Sequence, residues 1–155
     1  MTKIARQIHK ILIKRGKTVP VAESCTGGLL SKLLTDLPGS SKYFVLGVVA
    51  YNNKIKESIL NIPAKIIRKN GAVSTEVAVR MAKSVREIAK TDFGVSITGI
   101  AGPSGGTKQK PVGTVFIAVA DNNNVISKKF KLSGLRNVIR AKSALQALKL
   151  LNTLI

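Results

Sequence analysis

The residues most suited to chemistry stand in one short run, AESCTGG, at positions 22–28. It places Ser24, Cys25 and Thr26 between an apolar, strand-prone segment and a helical pattern. A hydroxyl at the end of a strand is a candidate nucleophile when a neighbouring group removes its proton. A helix start also carries backbone N–H groups without partners, which attract a phosphate or a developing oxyanion. The run therefore predicts nucleophilic chemistry at this turn, with Ser24 as the nucleophile.

Ser24 needs a base that removes its proton. The one histidine, His9, lies among basic residues before the first predicted strand, which disfavours a Ser-His-acid triad. One cysteine and seven dispersed carboxylates give neither metal-ligand spacing nor a carboxylate pair. A lysine is the remaining base, and it can act only when it is neutral, so its pKa must be lowered. Lys54 and Lys56 follow the second predicted strand, and the residues alone do not choose between them.

Alternating sheet and helix patterns indicate how these residues are positioned. Strands are predicted at 18–23, 43–51, 93–100, 112–120 and 125–132. Helices are predicted at 3–15, 29–36, 54–61, from 74 onwards and at 135–153, with a helix-prone segment after Pro63. The nearly continuous apolar run 43–51 favours a strand covered on both faces. The turn at 121–124 favours an antiparallel hairpin between the last two strands.

We therefore expect an α/β fold, with residues 1–155 forming a single three-layer domain. Its sheet should be mixed and mostly parallel, with helices on both faces and a C-terminal antiparallel hairpin. Three loops, at 24–28, 51–56 and 99–106, follow predicted strands. Because open α/β sheets bind ligands at the carboxyl ends of their strands, the three loops predict one shared site.

Composition limits the partners and the location of the chain. Its 26 basic and 7 acidic residues give a net charge of +19, which attracts anions. The basic residues are dispersed and no nucleic-acid-binding motif accompanies them, so a nucleic-acid partner is not favoured. No apolar run is long enough to span a membrane, and the charged first ten residues do not form a signal peptide. With a single cysteine, a reduced cytoplasmic location is expected.

Each candidate also has a purely structural interpretation. Ser24 or Thr26 could cap the following helix, and Cys25 could be a small buried apolar residue. Tyr51 could be an ordinary strand-end aromatic residue. The glycines after position 101 could form only a turn, and both lysines could be solvated.

The motifs together resemble the CinA C-terminal domain family, whose stand-alone members are nicotinamide-nucleotide amidohydrolases of the PncC type. The resemblance rests on the segments AESCTGG (22–28), LPGSSKYF (37–44), Tyr51-x4-Lys56, GAVS (71–74), SITGIAGPSGG (96–106) and KPVGTV (110–115). These segments occur in the order of the family and cover most of positions 20–120. The resemblance implies deamidation of nicotinamide mononucleotide to nicotinate mononucleotide, with no metal or organic cofactor.

The resemblance also implies roles for individual residues. The catalytic residues would be Ser24 as nucleophile, Lys56 as base and Tyr51 as a hydrogen-bonding assistant. The substrate-binding residues would be Thr26, Gly27, Gly28, Gly102, Gly105 and Lys110. The partner would be a small-molecule nucleotide, and a homodimer is implied because the family is usually dimeric.

Two positions beside the implied base depart from the family pattern. The family commonly has threonine before the tyrosine and serine after it, whereas this chain has Ala50 and Asn52. The departures suggest a second hypothesis, a nucleotide-binding regulatory module with little or no catalytic activity.

Overall fold

The computed structural model describes residues 3–155, which form one five-stranded sheet and the helices packed against it. The strands are β1 (Val19–Glu23), β2 (Phe44–Val49), β3 (Gly94–Gly99), β4 (Thr114–Ala120) and β5 (Val125–Lys131). The α-helices are α1 (Lys3–Arg15), α2 (Leu29–Thr35), α3 (Asn53–Ser58), α4 (Ala64–Asn70), α5 (Thr75–Ala89) and α6 (Arg136–Leu151), with a 3-10 turn at Ser40–Lys42. None of the described helices is long and apolar enough to cross a membrane.

The strands lie in the order β2-β1-β3-β4-β5. Strand β1 is parallel to both of its neighbours, β2 and β3. Strand β4 is antiparallel to β3 and β5, so β4 alone runs against the direction of the other four strands. Asp121 closes the β4–β5 turn, where its Oδ1 accepts hydrogen bonds from the N–H groups of Asn123 and Asn124. The predicted mixed, mostly parallel sheet with a C-terminal hairpin is confirmed.

Helices cover both faces of the sheet, because alternate strand residues point to opposite sides. One face carries larger apolar side chains and packs against α1, α2 and α6. The other face carries smaller residues, among them Ala22, Ser96 and Ala118, and packs closely against α5. Gly94 shows how close this contact is, since a Cβ there would lie 2.2 Å from the carbonyl oxygen of Ala82.

Strand β2 differs from the expectation that both of its faces are covered. It lies at the edge of the sheet, and its residues alternate between half-buried and exposed. Val45 and Val49 are 51% and 47% exposed. The continuous apolar run of this segment therefore reflects an uncovered apolar surface, and the prediction of a fully buried strand is wrong.

Candidate active site

The nucleophile candidate lies at the end of β1, an interior strand of the sheet. The N–H of Ser24 donates to the carbonyl oxygen of Ile97 on β3, at 2.9 Å, and continues the strand pairing by one residue. The chain then turns sharply, and the N–H of Gly27 donates back to the carbonyl oxygen of Ser24 at 3.1 Å. Gly27 has a φ of +58°, a left-handed conformation that favours glycine. The turn thus holds Ser24 at the carboxyl edge of the sheet.

Glu23 occupies the start of the helix that follows. Its side chain is fully buried, and its carboxylate accepts hydrogen bonds from the N–H groups of Gly28, Leu30 and Ser31 at 2.8–3.1 Å. The hydroxyl of Ser31 also donates to it, at 2.7 Å. A carboxylate at a helix N-terminus satisfies unpaired amides and complements the helix dipole. These three amides are therefore not open to a ligand, in contrast to the expectation from the sequence.

The helix-cap interpretation of Ser24 and Thr26 is also wrong. The cap residue of α2 is Gly28, and no side chain at that position makes a capping hydrogen bond. The role of the cap is taken instead by the carboxylate of Glu23, from five residues upstream of Gly28.

Lys56 provides the partner for Ser24. Its Nζ lies 3.2 Å from Ser24 Oγ and donates to the carbonyl oxygen of Ala50 at 2.8 Å. The side chain is 1% exposed, and this burial lowers the pKa of Lys56, because desolvation disfavours the charged ammonium. A Cys25 thiolate would oppose the shift, but burial raises the pKa of the Cys25 thiol to about 11, so the thiol is neutral at physiological pH. Burial therefore shifts the protonation equilibrium of Lys56 towards the neutral amine, relative to an exposed lysine.

The fold also explains why Lys56, rather than Lys54, reaches the nucleophile. Asn52 is the N-cap residue of α3, and its side-chain oxygen accepts from the N–H of Lys54 at 2.9 Å. In the helix that follows, Lys54 is exposed and Lys56 points into the interior. The geometry therefore brings Lys56, and not Lys54, into contact with Ser24.

The two departures from the family pattern leave this arrangement intact. Asn52 is an N-cap residue, and asparagine and serine are both among the preferred residues at that position. Ala50 holds the lysine through its backbone carbonyl, so the contact does not depend on its side chain. Its own N–H donates to the carbonyl oxygen of Glu23 at 2.8 Å, which fixes the end of β2 beside the motif turn.

The loop that follows β3 forms the opposite wall of the site. Gly102 has a φ of +80°, and a Cβ at this position would lie 2.6 Å from a methyl group of Val112. The close approach therefore requires glycine. Among the described residues, no acceptor receives a hydrogen bond from the N–H groups of Gly102, Ser104 or Gly105. Within the described part of the chain, three residues of the pocket lining thus have backbone N–H groups without partners.

Ser24, Lys56 and the loop enclose a pocket of about 280 Å³. It is lined by Ser24, Cys25, Tyr51, Asn53, Lys56, Ala72, Val73, residues 98–102, Ser104, Gly105 and Arg136. Tyr51 lies at the rim and is 57% exposed, and its hydroxyl accepts from Arg136 Nη2 at 2.6 Å. Arg136 Nη1 donates to the carbonyl oxygen of Gly102 at 2.7 Å. Arg136, which was not among the residues predicted from the sequence, thus joins two of the converging loops.

A larger hollow of about 420 Å³ lies between α5 and the residues around Leu60. It also contains a serine beside a lysine in sequence, Ser84 and Lys83. The hydroxyl of Ser84 donates to the carbonyl oxygen of Leu60 at 2.6 Å, and Lys83 is exposed. Because this serine donates to the backbone and its neighbouring lysine is exposed, the smaller pocket is the better candidate.

Other predicted ligand contacts lie outside the lining of the pocket. Thr26 is fully buried, and its Oγ1 has no hydrogen-bond partner among the described residues. Its carbonyl oxygen accepts from Arg140 Nη2 at 2.6 Å. Lys110 Nζ donates to the carbonyl oxygen of Asn70 at 2.8 Å, at the end of α4. Their roles in substrate binding, and those of Gly27 and Gly28, stay predictions.

Comparison with known proteins identifies the family. The sequence matches the CinA C-terminal domain family over residues 1–155. The chain belongs to this family. A relative described as a competence-damage inducible protein, from Caldanaerobacter subterraneus subsp. tengcongensis, is 52% identical over 140 residues, which are 90% of this chain and 34% of the relative. A CinA-like protein of Desulfotalea psychrophila is 49% identical over 144 residues, 93% of this chain and 35% of that protein. This chain thus spans about a third of the length of the curated relatives that it matches.

A solved structure confirms the fold. The crystal structure of the competence/damage inducible protein CihA from Agrobacterium tumefaciens superposes with a TM-score of 0.96 at 37% identity. The match covers 98% of this chain and 93% of that one. The CinA superfamily protein of Escherichia coli superposes with a TM-score of 0.94 at 30% identity, over 98% of this chain and 88% of that one. The resemblance drawn from the sequence motifs, and the α/β fold predicted from the strand and helix patterns, are confirmed.

Proposed function

We propose that this chain is an amidohydrolase that converts nicotinamide mononucleotide and water to nicotinate mononucleotide and ammonia. The observation that carries the proposal is the contact of Lys56 Nζ with Ser24 Oγ at 3.2 Å, in a buried site that lowers the pKa of the lysine. A serine with a neutral lysine as its base is suited to acyl transfer. The nucleotide substrate is supported by the motifs that the chain shares with its family.

The first step uses the position of the lysine between two oxygen atoms. A neutral Lys56 donates one hydrogen to the carbonyl oxygen of Ala50, which leaves its lone pair free to face the hydroxyl of Ser24. As Ser24 Oγ attacks the carboxamide carbon, its proton moves to Lys56 Nζ. The carbonyl oxygen becomes an oxyanion, and the new ammonium group beside it supplies a positive charge that stabilises it.

The second step releases ammonia. The oxyanion re-forms the carbonyl, the bond between carbon and nitrogen breaks, and Lys56 returns its proton to the leaving nitrogen. The product of this step is an ester of Ser24, and Lys56 is neutral again. Water then attacks the ester with Lys56 as its base, the bond from the acyl carbon to Ser24 Oγ breaks, and Ser24 regains its proton.

The test is to incubate the purified chain with nicotinamide mononucleotide and to measure ammonia and nicotinate mononucleotide together. Equal amounts of both products are expected, with loss of both in Ser24→Ala. Tight binding of the nucleotide without ammonia release would overturn the proposal and support the regulatory-module hypothesis. The structure weakens the motive for that hypothesis, because Ala50 and Asn52 preserve the position of the base.

A further inference from the structure

The charged groups around the pocket are unevenly distributed. Among the residues that line it, only Lys56 and Arg136 are basic, and none is acidic. Burial lowers the pKa of Lys56, and its proposed role requires the neutral form. Arg136 is thus the one lining residue that carries a charge at every physiological pH.

The positive charge of Arg136 has no carboxylate partner within residues 3–155. Its guanidinium group donates to two neutral oxygens, the carbonyl of Gly102 and the hydroxyl of Tyr51. An arginine fork matches the oxygens of a phosphate better than such neutral acceptors, because the resulting hydrogen bonds are charge-assisted and bidentate. The guanidinium group is therefore held in the pocket wall by two neutral acceptors, which an anion can replace.

The surroundings of Arg136 also favour an anion. It is the first residue of α6, and the first turn of this helix contains no acidic residue. A basic side chain at that end is unfavourably placed with respect to the helix dipole, which suggests a role other than helix stability. The unpaired N–H groups of Gly102, Ser104 and Gly105 belong to the loop that Arg136 contacts. Arginine and backbone amides together form a suitable cradle for a phosphate.

Lys110, the cation that the family resemblance implies for this role, is placed differently. Its Nζ is bound to the carbonyl oxygen of Asn70, and it does not line the pocket. A phosphate in the pocket would therefore have Arg136 as its cationic ligand.

We propose that Arg136 is the specificity-determining residue of the site, and that with the 102–105 loop it binds the phosphate monoester of the substrate. This inference rests on the proposed function, since it names the part of the nucleotide that the pocket recognises. In the bound state the phosphate replaces Gly102 and Tyr51 as the acceptor of the arginine hydrogen bonds. Release of Tyr51 from this contact leaves its hydroxyl free to face the substrate. The site should then select a mononucleotide over the corresponding nucleoside.

The experiment measures binding by calorimetry, with nicotinate mononucleotide and nicotinate riboside as probes. Both probes lack the carboxamide, so binding is measured without turnover. The variants are Arg136→Gln, Arg136→Lys and Arg80→Gln, the last removing the same charge from an exposed position on α5. Thermal melting of each variant shows that it is folded.

The wild-type chain should bind the mononucleotide about 10- to 100-fold more tightly than the riboside, the range expected for hydrogen bonds between charged groups. Arg136→Gln should remove most of this preference and leave riboside affinity within about threefold of the wild type. Arg136→Lys should show part of the wild-type preference for the mononucleotide, and Arg80→Gln should retain the full preference.

Three results would overturn the inference: a wild-type chain without preference for the mononucleotide, a preference that persists in Arg136→Gln, or equal loss of both probes in that variant. A preference that depends on Arg136 in a chain that releases no ammonia would instead support this inference while rejecting the proposed amidase reaction.

Discussion

Replacing the proposed base with an uncharged side chain of similar length tests the reaction at its centre. Methionine nearly keeps the buried volume of the lysine side chain. It lacks the Nζ atom, which lies 3.2 Å from Ser24 Oγ and would accept the proton. General-base catalysis contributes about 100- to 10,000-fold to a rate. Lys56→Met should therefore lower kcat/KM by a factor in that range or by a larger one. This loss corresponds to about 3–5 kcal/mol of transition-state stabilisation. The measurement is ammonia release at limiting nicotinamide mononucleotide.

Lys54→Met provides the matched control. It replaces a lysine of the same helix, two residues away, at a position that the structure shows to be exposed. Because Lys54→Met removes a surface lysine without touching Ser24, it shows how far the loss of one lysine from α3 by itself affects substrate capture. We expect Lys54→Met to retain activity within about threefold of the wild type.

The pH dependence gives a second measurement on the same residue. Only the neutral form of Lys56 can accept the proton, so kcat/KM of the wild type should rise with pH and level off above the pKa of the lysine. Burial lowers that pKa, so the plateau should be reached below the ordinary lysine value of 10.5.

Activity in Lys56→Met within tenfold of the wild type, or equal losses in both lysine variants, would refute the reasoning.

Four further predictions follow from individual contacts. The unfolded chain binds a proton at Lys56 more readily than the folded chain, because burial lowers the pKa of this lysine. The free energy of unfolding should therefore rise with pH between the lowered and the ordinary lysine pKa. Denaturant titrations of Lys56→Met should lack this rise. Cys25, with a thiol pKa of about 11, should react with a thiol reagent at pH 7.5 roughly 100-fold more slowly than after unfolding in urea, and equal rates would contradict this. Glu23→Gln should lower the free energy of unfolding by about 2–5 kcal/mol in urea titrations, since buried amides lose a charged acceptor, and a change below about 1 kcal/mol would count against that role. We also propose that two copies pair through the edge strand β2. This strand lacks the lysines that prevent pairing, whereas the opposite edge strand β5 has three. Light scattering should detect a dimer, and Val49→Lys, at a half-exposed position of β2, should convert it to a monomer.

Most of the fold could be predicted because its elements are encoded locally. The alternation of apolar runs with amphipathic helical patterns located all five strands to within two residues at either end. The burial of β2 could not be inferred in the same way. Its composition, FVLGVV, is as apolar as that of a central strand, and only the order of strands in the sheet shows that it lies at an edge.

The site was predictable where it depends on the ends of neighbouring strands. Ser24 and Lys56 are 32 residues apart, yet both follow strands that pair in parallel, so their convergence follows from topology. Arg136 contacts Tyr51 across 85 residues, from a helix that the sequence marks only as amphipathic. The available signal was weak: a basic residue at the start of a helix that has no acidic residue in its first turn.

The placement of Glu23 explains how one motif can serve both the fold and the chemistry. A helix start beside the nucleophile would attract the phosphate of a nucleotide towards Ser24, where the carboxamide must lie. The buried carboxylate of Glu23 occupies three amides of that helix start, and thereby removes much of its attraction for an anion. On the opposite wall, the 102–105 loop has amides without partners and Arg136 has no carboxylate partner within residues 3–155. We therefore expect the proposed mononucleotide substrate to bind with its phosphate at the loop and its amide at Ser24, because the helix start beside Ser24 no longer offers free amides to an anion.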